Sequence, residues 1–342
     1  MKLYRIVLGL LFLQLGVSGC FQPSKAQDQQ VKAGIEVLKE QDYEVLQGKR
    51  VGLVTNPTGV DSNLKSTVDI LHEEESVNLV ALYGPEHGVR GNFDAGTHVE
   101  NVTDSETGLP VYSLYGSNRK PSPEMLEDVD ALVFDIQDIG VRSYTYISTL
   151  GLVMEAAAEN DKQVVVLDRP NPLGGNRVEG MLWEKEFESF VSQYPVPYVH
   201  GLTVGELARM LNGEKMLSEG LQCDLEVVRM KGWKRDMVFE ETGLPWVPTS
   251  PHIPHAYTPF YYAATGIAGE LNGNMIGVGY TLPFQVFALP GLDANKTAEA
   301  LNSRNLPGVT FRPIWFRPYY KKFKGEELKG VQIHVTNYKI AE

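Results

Sequence analysis

The sequence predicts an α/β fold: a Rossmann-like, mostly parallel sheet domain followed by a second, smaller α+β domain at the C-terminal end. Three observations predict it. Short runs such as NLVALY, DALVFDI and QVVVLD are almost wholly apolar, as strands covered on both faces are, and lack the in–out alternation of a half-solvated sheet. Stretches with helical spacing separate these runs, which is the pattern of a layered α/β unit. A crowd of prolines (Pro245, Pro248, Pro251, Pro254 and Pro259) then breaks the pattern.

The elements follow in chain order. Residues 33–44 have apolar positions at helical spacing. Residues 50–55 form a strand closed by the turn Asn56-Pro57-Thr58-Gly59. Residues 63–73 read as an amphipathic helix with Leu64, Val68 and Leu71 on one side. Further strands are expected at 78–83, 130–136, 163–168 and 225–230. A long helix is expected over 143–160, with Ser143 as its N-cap. Another is expected over 203–211, opened by a capping box of Thr203 and Glu206. Continuous helix is not expected in the proline-rich stretch. Beyond it, strands are expected near 285–288, 311–316 and 331–336. No internal repeat stands out.

The ends and the charge narrow the setting. Lys2 and Arg5 precede the apolar stretch 6–17, which is shorter than the roughly 20 residues a membrane span needs. It ends Val17-Ser18-Gly19-Cys20, which resembles a bacterial lipoprotein signal with Cys20 as the site of lipid attachment. The expected division is a signal over 1–19, a polar tether over 20–32, the Rossmann-like domain over 33–250 and the smaller domain over 251–342, which completes a cleft. Cys223 is the one other cysteine, so no disulfide framework is available. A formal net charge of -12 repels nucleic acid and anionic membrane surfaces, so the lipid is the expected membrane contact and nucleic acid is not an expected partner.

Ligands of open α/β sheets bind beyond the carboxyl ends of the strands, so each strand is read to its end. The strand at 78–83 runs into Gly84-Pro85-Glu86-His87-Gly88-Val89-Arg90-Gly91. Glycines and a proline set that bend, and a carboxyl held over an apolar strand end is partly desolvated, which suits a general acid. The bland alternative is a solvated turn. The strand at 130–136 runs into Asp138, Arg142, Ser143 and Tyr144; Asp138 alternatively caps a turn, and Arg142 alternatively pairs with it. The strand at 163–168 runs into Arg169-Pro170-Asn171-Pro172, where Asn171 contacts ligand or only stabilises the turn. Tyr83, Tyr115, Tyr144, Tyr146 and the tyrosines of 257–262 suit platforms for sugar rings, or simply a core. His252 and His255, or His87, His98 and Asp94, form metal sets on paper, but none has a strong ligand spacing, and no metal is expected. There is no G-x-S-x-G, no G-x-G-x-x-G and no phosphate-binding G-x-x-x-x-G-K-[ST]; no cofactor is expected.

Y-G-P-E-H-G-V-R-G, D-A-G at 94–96, V-Y-S-L-Y-G at 111–116, D-I-Q-D-I-G-V-R-S-Y-T-Y at 135–146 and D-R-P-N-P-L-G-G at 168–175 together resemble the YbbC/NamZ-type exo-β-N-acetylmuramidases. The likeness continues through T-V-G-E-L-A-R at 203–209 to G-V-Q-I-H-V-T at 330–336. It implies a Rossmann-like domain, a smaller C-terminal domain and a cleft between them. It also implies release of terminal, non-reducing N-acetylmuramic acid from peptidoglycan fragments, with Glu86 as the catalytic glutamate. Asp94, Asp138 and Glu270 are the candidates for a second carboxylate. Arg90 and Arg142 are the candidates for the substrate's lactyl carboxylate, and His87, Tyr144, Asn171, His252 and Asn272 for its hydroxyl and acetamido groups. Many members carry E-G-T-N-x-S-x-G-R-G-T in the second domain; here Glu270, Asn272 and Thr281 match, and Val278 stands at the arginine position. Members usually continue beyond the point that matches Glu342, which implies a last helix missing from this chain. The rival readings are a non-catalytic sugar-binding lipoprotein and a metal-dependent deacetylase or amidase.

Overall fold

The computed structural model describes residues 30–91, 102–116, 118–320 and 322–341. The elements are α1 (Gly34–Glu40), β1 (Arg50–Thr55), α2 (Thr67–Glu73), β2 (Asn78–Gly84), β3 (Val102–Thr103), β4 (Pro110–Ser113), β5 (Ala131–Asp135), α3 (Tyr146–Glu159), β6 (Gln163–Leu167), α4 (Val204–Gly213), β7 (Asp224–Val228), α5 (Thr258–Gly269), β8 (Val286–Leu289), α6 (Ala294–Asn302), β9 (Val309–Phe316) and β10 (Leu328–Val335).

The larger sheet has seven strands in the order β3-β4-β2-β1-β5-β6-β7. All its neighbours run parallel except the short β3, which pairs antiparallel with β4. The apolar runs of the sequence are central strands, and successive residues feed opposite layers. Leu132 and Phe134 of β5, with Val164 and Val166 of β6, pack with Leu150, Met154 and Leu207 of α3 and α4. Val133, Val165 and Leu167 pack on the other face with Ile35, Leu38, Val68 and Leu71 of α1 and α2. That period of two, buried both ways, explains why no polar alternation marked these strands.

Strand order reverses at β1: the chain moves outward to β2 and β4, then returns to place β5 on the other side of β1. The loops after β1 and β5 therefore part company, and the crevice between them is where such sheets receive ligands.

The smaller sheet is antiparallel, β8-β10-β9, with a core of Met275, Val286, Ala288, Ile314, Phe316 and Leu328. A further apolar cluster joins it to the large sheet: Ile139, Val141, Leu173 and Val199 pack with Ile253, Phe260, Tyr261, Phe284 and Ile333.

Several helix starts differ from the sequence expectation. α2 begins at Thr67, because Leu64 takes a left-handed φ of 65° and Ser66 caps the helix through Asp69 N–H. Leu64 is consequently 56% exposed and belongs to no apolar stripe. α3 begins at Tyr146 rather than Ser143, and its N-cap, Thr145, makes no side-chain capping bond. The proline-rich stretch does enter a helix, α5, because Pro259 sits in its first turn, where a missing N–H costs nothing. The Thr203–Glu206 capping box is present, with both reciprocal bonds at 3.0–3.1 Å. β3, β4 and α6 carried no signal that was read.

Candidate active site

Polar side chains collect at the carboxyl ends of β1, β2, β5 and β6, but their bonding states differ sharply. Asp135, the last residue of β5, is wholly buried. It takes two bonds from the Arg169 guanidinium and one from the Thr67 hydroxyl. Asp168 follows β6 and accepts the N–H groups of Arg169 (3.0 Å) and Gly205 (2.8 Å) and the Thr203 hydroxyl (3.0 Å). Burial nevertheless outweighs those bonds and pushes its carboxyl up to about 6. Asn171 accepts Leu173 N–H at 2.9 Å and donates to the Leu202 carbonyl at 3.0 Å. Its amide lies against Gly140, where an added Cβ would meet the Asn171 oxygen at 2.2 Å and φ is +80°, so only glycine fits. These residues build the floor of the site.

Asp138, three residues beyond Asp135, is different. It is 5% exposed. Oδ2 accepts Gly140 N–H at 2.7 Å, which is the turn-capping role foreseen as the bland alternative. Oδ1 is buried without a hydrogen-bond partner. Arg142 does not pair with it. The guanidinium donates to the carbonyls of Met181 and Val196, and no salt bridge to it is found among the described residues.

Glu86 is half-buried on the bend after β2, where His87 and Gly88 both take φ of 74°. Two consecutive left-handed residues fix that turn, and for histidine the conformation is uncommon. The Glu86 carboxyl lies within hydrogen-bonding reach of the Tyr115 hydroxyl, and its charge also reaches Tyr146. Tyr146 in turn donates to the Thr249 carbonyl and lies within bonding reach of the Asn56 side chain. Tyr144 stands edge-on to Tyr146 with ring centroids 5.0 Å apart, and its hydroxyl donates to Thr249 Oγ1 at 2.8 Å. Tyr262, from α5, packs edge-on to Tyr144 at 5.8 Å and meets the Ser143 hydroxyl at 3.1 Å. The charge of Asp138 reaches both Tyr144 and Tyr262. Glu86 and Asp138 thus flank one wall of edge-packed tyrosines. Burial pushes the phenols of Tyr144, Tyr146 and Tyr262 up, so they remain proton-bearing donors at neutral pH.

The other predicted site residues fall as follows. Arg90 is engaged by Asp104 through two bonds of 2.9 and 3.0 Å and more distantly by Asp69. It pins the bend rather than offering a free cation, and it holds the Asp104 carboxyl down to about 2. Glu270 is exposed at the end of α5, where its charge reaches Tyr198 and Tyr262. Asn272 is exposed, whereas Asn274 is buried and donates to the Ala268 carbonyl at 2.6 Å. Val278 packs into the apolar cluster that joins the two sheets. His252 Nε2 lies 2.7 Å from the Tyr320 hydroxyl, and His255 stacks on Tyr257. Among the described residues no three His, Cys, Asp or Glu side chains are grouped to hold a metal. Asp94, His98 and Cys20 lie outside the described residues. Sequence reading missed Ser143 as a hydroxyl partner, Tyr262 as part of the wall, and His200, which stands 3.7 Å from Asp138.

Comparison with known proteins identifies the family. A peptidoglycan β-N-acetylmuramidase NamZ from Bacillus subtilis (strain 168) is 49% identical over 312 residues, which span 91% of this chain and 74% of that protein. A crystal structure of a DUF1343 family protein from Bacteroides fragilis superposes with a TM-score of 0.87 at 60% identity, covering 92% of this chain and 79% of that one. A second DUF1343 protein from the same organism gives 0.72 at 33% identity, covering 90% and 77%. The N-terminal model of the exo-β-N-acetylmuramidase NamZ family matches residues 51–257 and its C-terminal model residues 260–342. The chain belongs to the exo-β-N-acetylmuramidase NamZ family.

Proposed function

We propose that the protein is an exo-acting glycoside hydrolase that releases terminal, non-reducing N-acetylmuramic acid from peptidoglycan fragments, with Glu86 as general acid. Family membership supports the reaction. The observation that carries the residue assignment is the placement of Glu86: half-buried, on a conformationally fixed bend at a strand end, beside Tyr115 and the tyrosine wall. As the glycosidic C–O bond breaks, Glu86 gives its proton to the leaving oxygen. Water supplies the new bond to the anomeric carbon. Asp138, with Oδ1 uncommitted, is the second carboxylate: it takes the water's proton or steadies the oxocarbenium-like transition state. Arg142 is the cation for the lactyl carboxylate, since Arg90 is already held by two aspartates.

Glu86→Gln tests the assignment with a chromogenic β-N-acetylmuramide. The expected result is a fall in kcat of about 1,000-fold with an unchanged melting temperature. A rate like that of the parent removes Glu86 from the mechanism. The arginine-to-valine departure at Val278 favours one rival, a sugar-binding protein without turnover. Retained binding of the same glycoside with no release by the parent protein is the result that selects it.

We infer from the segment ending at Cys20 that the chain is exported and lipid-anchored to the bacterial envelope. Cys20→Ser in the full chain is expected to move the protein from the membrane to the soluble fraction; unchanged membrane retention refutes the anchor.

A further inference from the structure

We propose that His200 is a positioning residue that holds Asp138 with one oxygen reserved for the substrate or the attacking water. The proposal rests on the reading of Asp138 as the second carboxylate. His200 sits in an irregular segment, yet its place is fixed by backbone pairing. Residues 198–200 run beside 140–142, with Arg142 N–H on the Tyr198 carbonyl at 2.7 Å and His200 N–H on the Gly140 carbonyl at 3.4 Å. Val199 bridges Val141 between these two bonds. Alternate residues of this ribbon, Tyr198 and His200, reach the site: one through Ser143, the other toward Asp138.

The His200 side chain is 2% exposed, and its two ring nitrogens have separate duties. Nδ1 accepts Leu202 N–H at 3.2 Å, so in the neutral ring the proton resides on Nε2. Nε2 faces Asp138 Oδ2 at 3.7 Å and has no hydrogen-bond partner. Oδ2 already accepts Gly140 N–H. A backbone donor bonded to Oδ2 and an imidazole donor facing it thus share one oxygen of the carboxylate, leaving Oδ1, itself buried and unpartnered, as the uncommitted acceptor. A buried donor and a buried acceptor left side by side are costly in a structural role alone. Contacts of this kind are commonly long without substrate and tighten when it binds.

Two conservative variants separate positioning from scaffolding. In His200→Gln the side-chain amide reaches toward Asp138 as Nε2 does but abandons Leu202. In His200→Asn the side-chain oxygen keeps the Leu202 bond but falls short of Asp138. With the chromogenic β-N-acetylmuramide, the expected outcome is that His200→Gln stays within about threefold of the parent kcat, while His200→Asn loses about 10- to 100-fold with KM within about twofold. Introducing His200→Asn into Asp138→Asn is expected to cost nothing further, because the two act as a unit. The reverse order of the two variants, or a full additional loss in the double variant, overturns the proposal. An Asp138→Asn enzyme that is slow while His200→Asn turns over normally refutes the His200 role alone. An Asp138→Asn enzyme at the parent rate removes the second-carboxylate reading and this proposal with it.

Discussion

Asp135 and Asp138 are three residues apart and both buried, the first ending β5 and the second in the loop beyond it, and they are opposite in character. Both oxygens of Asp135 are engaged, by three bonds from Arg169 and Thr67, so it locks the loop after β6 to the end of β5. Asp138 spends one oxygen on its own turn and keeps the other. The same split separates Arg90, tied to Asp104 and Asp69, from Arg142, which is bonded only to carbonyls among the described residues. At the rim of an α/β sheet, a polar residue's function is read from its unspent bonding capacity rather than from its position.

Substitution tests that contrast directly. Asp135→Asn leaves the Arg169 guanidinium buried without its counter-charge, and the expected cost is about 3–5 kcal/mol of unfolding free energy by urea titration, with activity per folded molecule retained. Asp138→Asn keeps an oxygen for Gly140 N–H and is expected to cost under about 1 kcal/mol while slowing turnover about 100-fold. Equal effects of the two on stability would erase the distinction.

Asp168 offers a test of intermediate size. Its folded pKa of about 6 lies above the ordinary 3.8, so the folded protein holds that proton more tightly than the unfolded chain does. The stability this group contributes is therefore full below pH ~4 and is lost as pH rises through ~6, by about 3 kcal/mol. Asp168→Asn is expected to flatten that part of the stability profile measured by urea unfolding between pH 4 and 7, a range chosen to bracket about two pKa units. A variant whose profile still parallels the parent's would assign the slope to other groups.

The smallest expected effect concerns the two arginines. Arg142→Met is expected to weaken inhibition by free N-acetylmuramic acid about tenfold and leave that by N-acetylglucosamine unchanged; Arg90→Met is expected to change neither. Parallel losses with both sugars would show that Arg142 supports the loop only.

The strands were legible because burial on both faces leaves no choice but apolar runs, and the capping box of α4 was legible because its two partners are three residues apart. β3 and β4 were not, being two and four residues long at the sheet's edge. The start of α2 was obscured because the left-handed turn at Leu64 leaves helical spacing intact on paper. The loops that form the site were found by following strands to their ends. Which of their residues are committed was not, because that depends on partners distant in sequence: Arg169 for Asp135, Asp104 for Arg90 and Leu202 for Asn171. His200 had no local motif at all; only the ribbon it forms with 140–142 brings it to Asp138.

Tyr262 belongs to α5, and α5 rests on Ile333 of β10, near the C-terminal limit of the matched region. The wall beside Glu86 consequently depends on the smaller sheet for its support. A loss of packing at Ile333 is therefore expected to reach Tyr262, and through it the wall beside Glu86, although the two lie in different sheets of the fold.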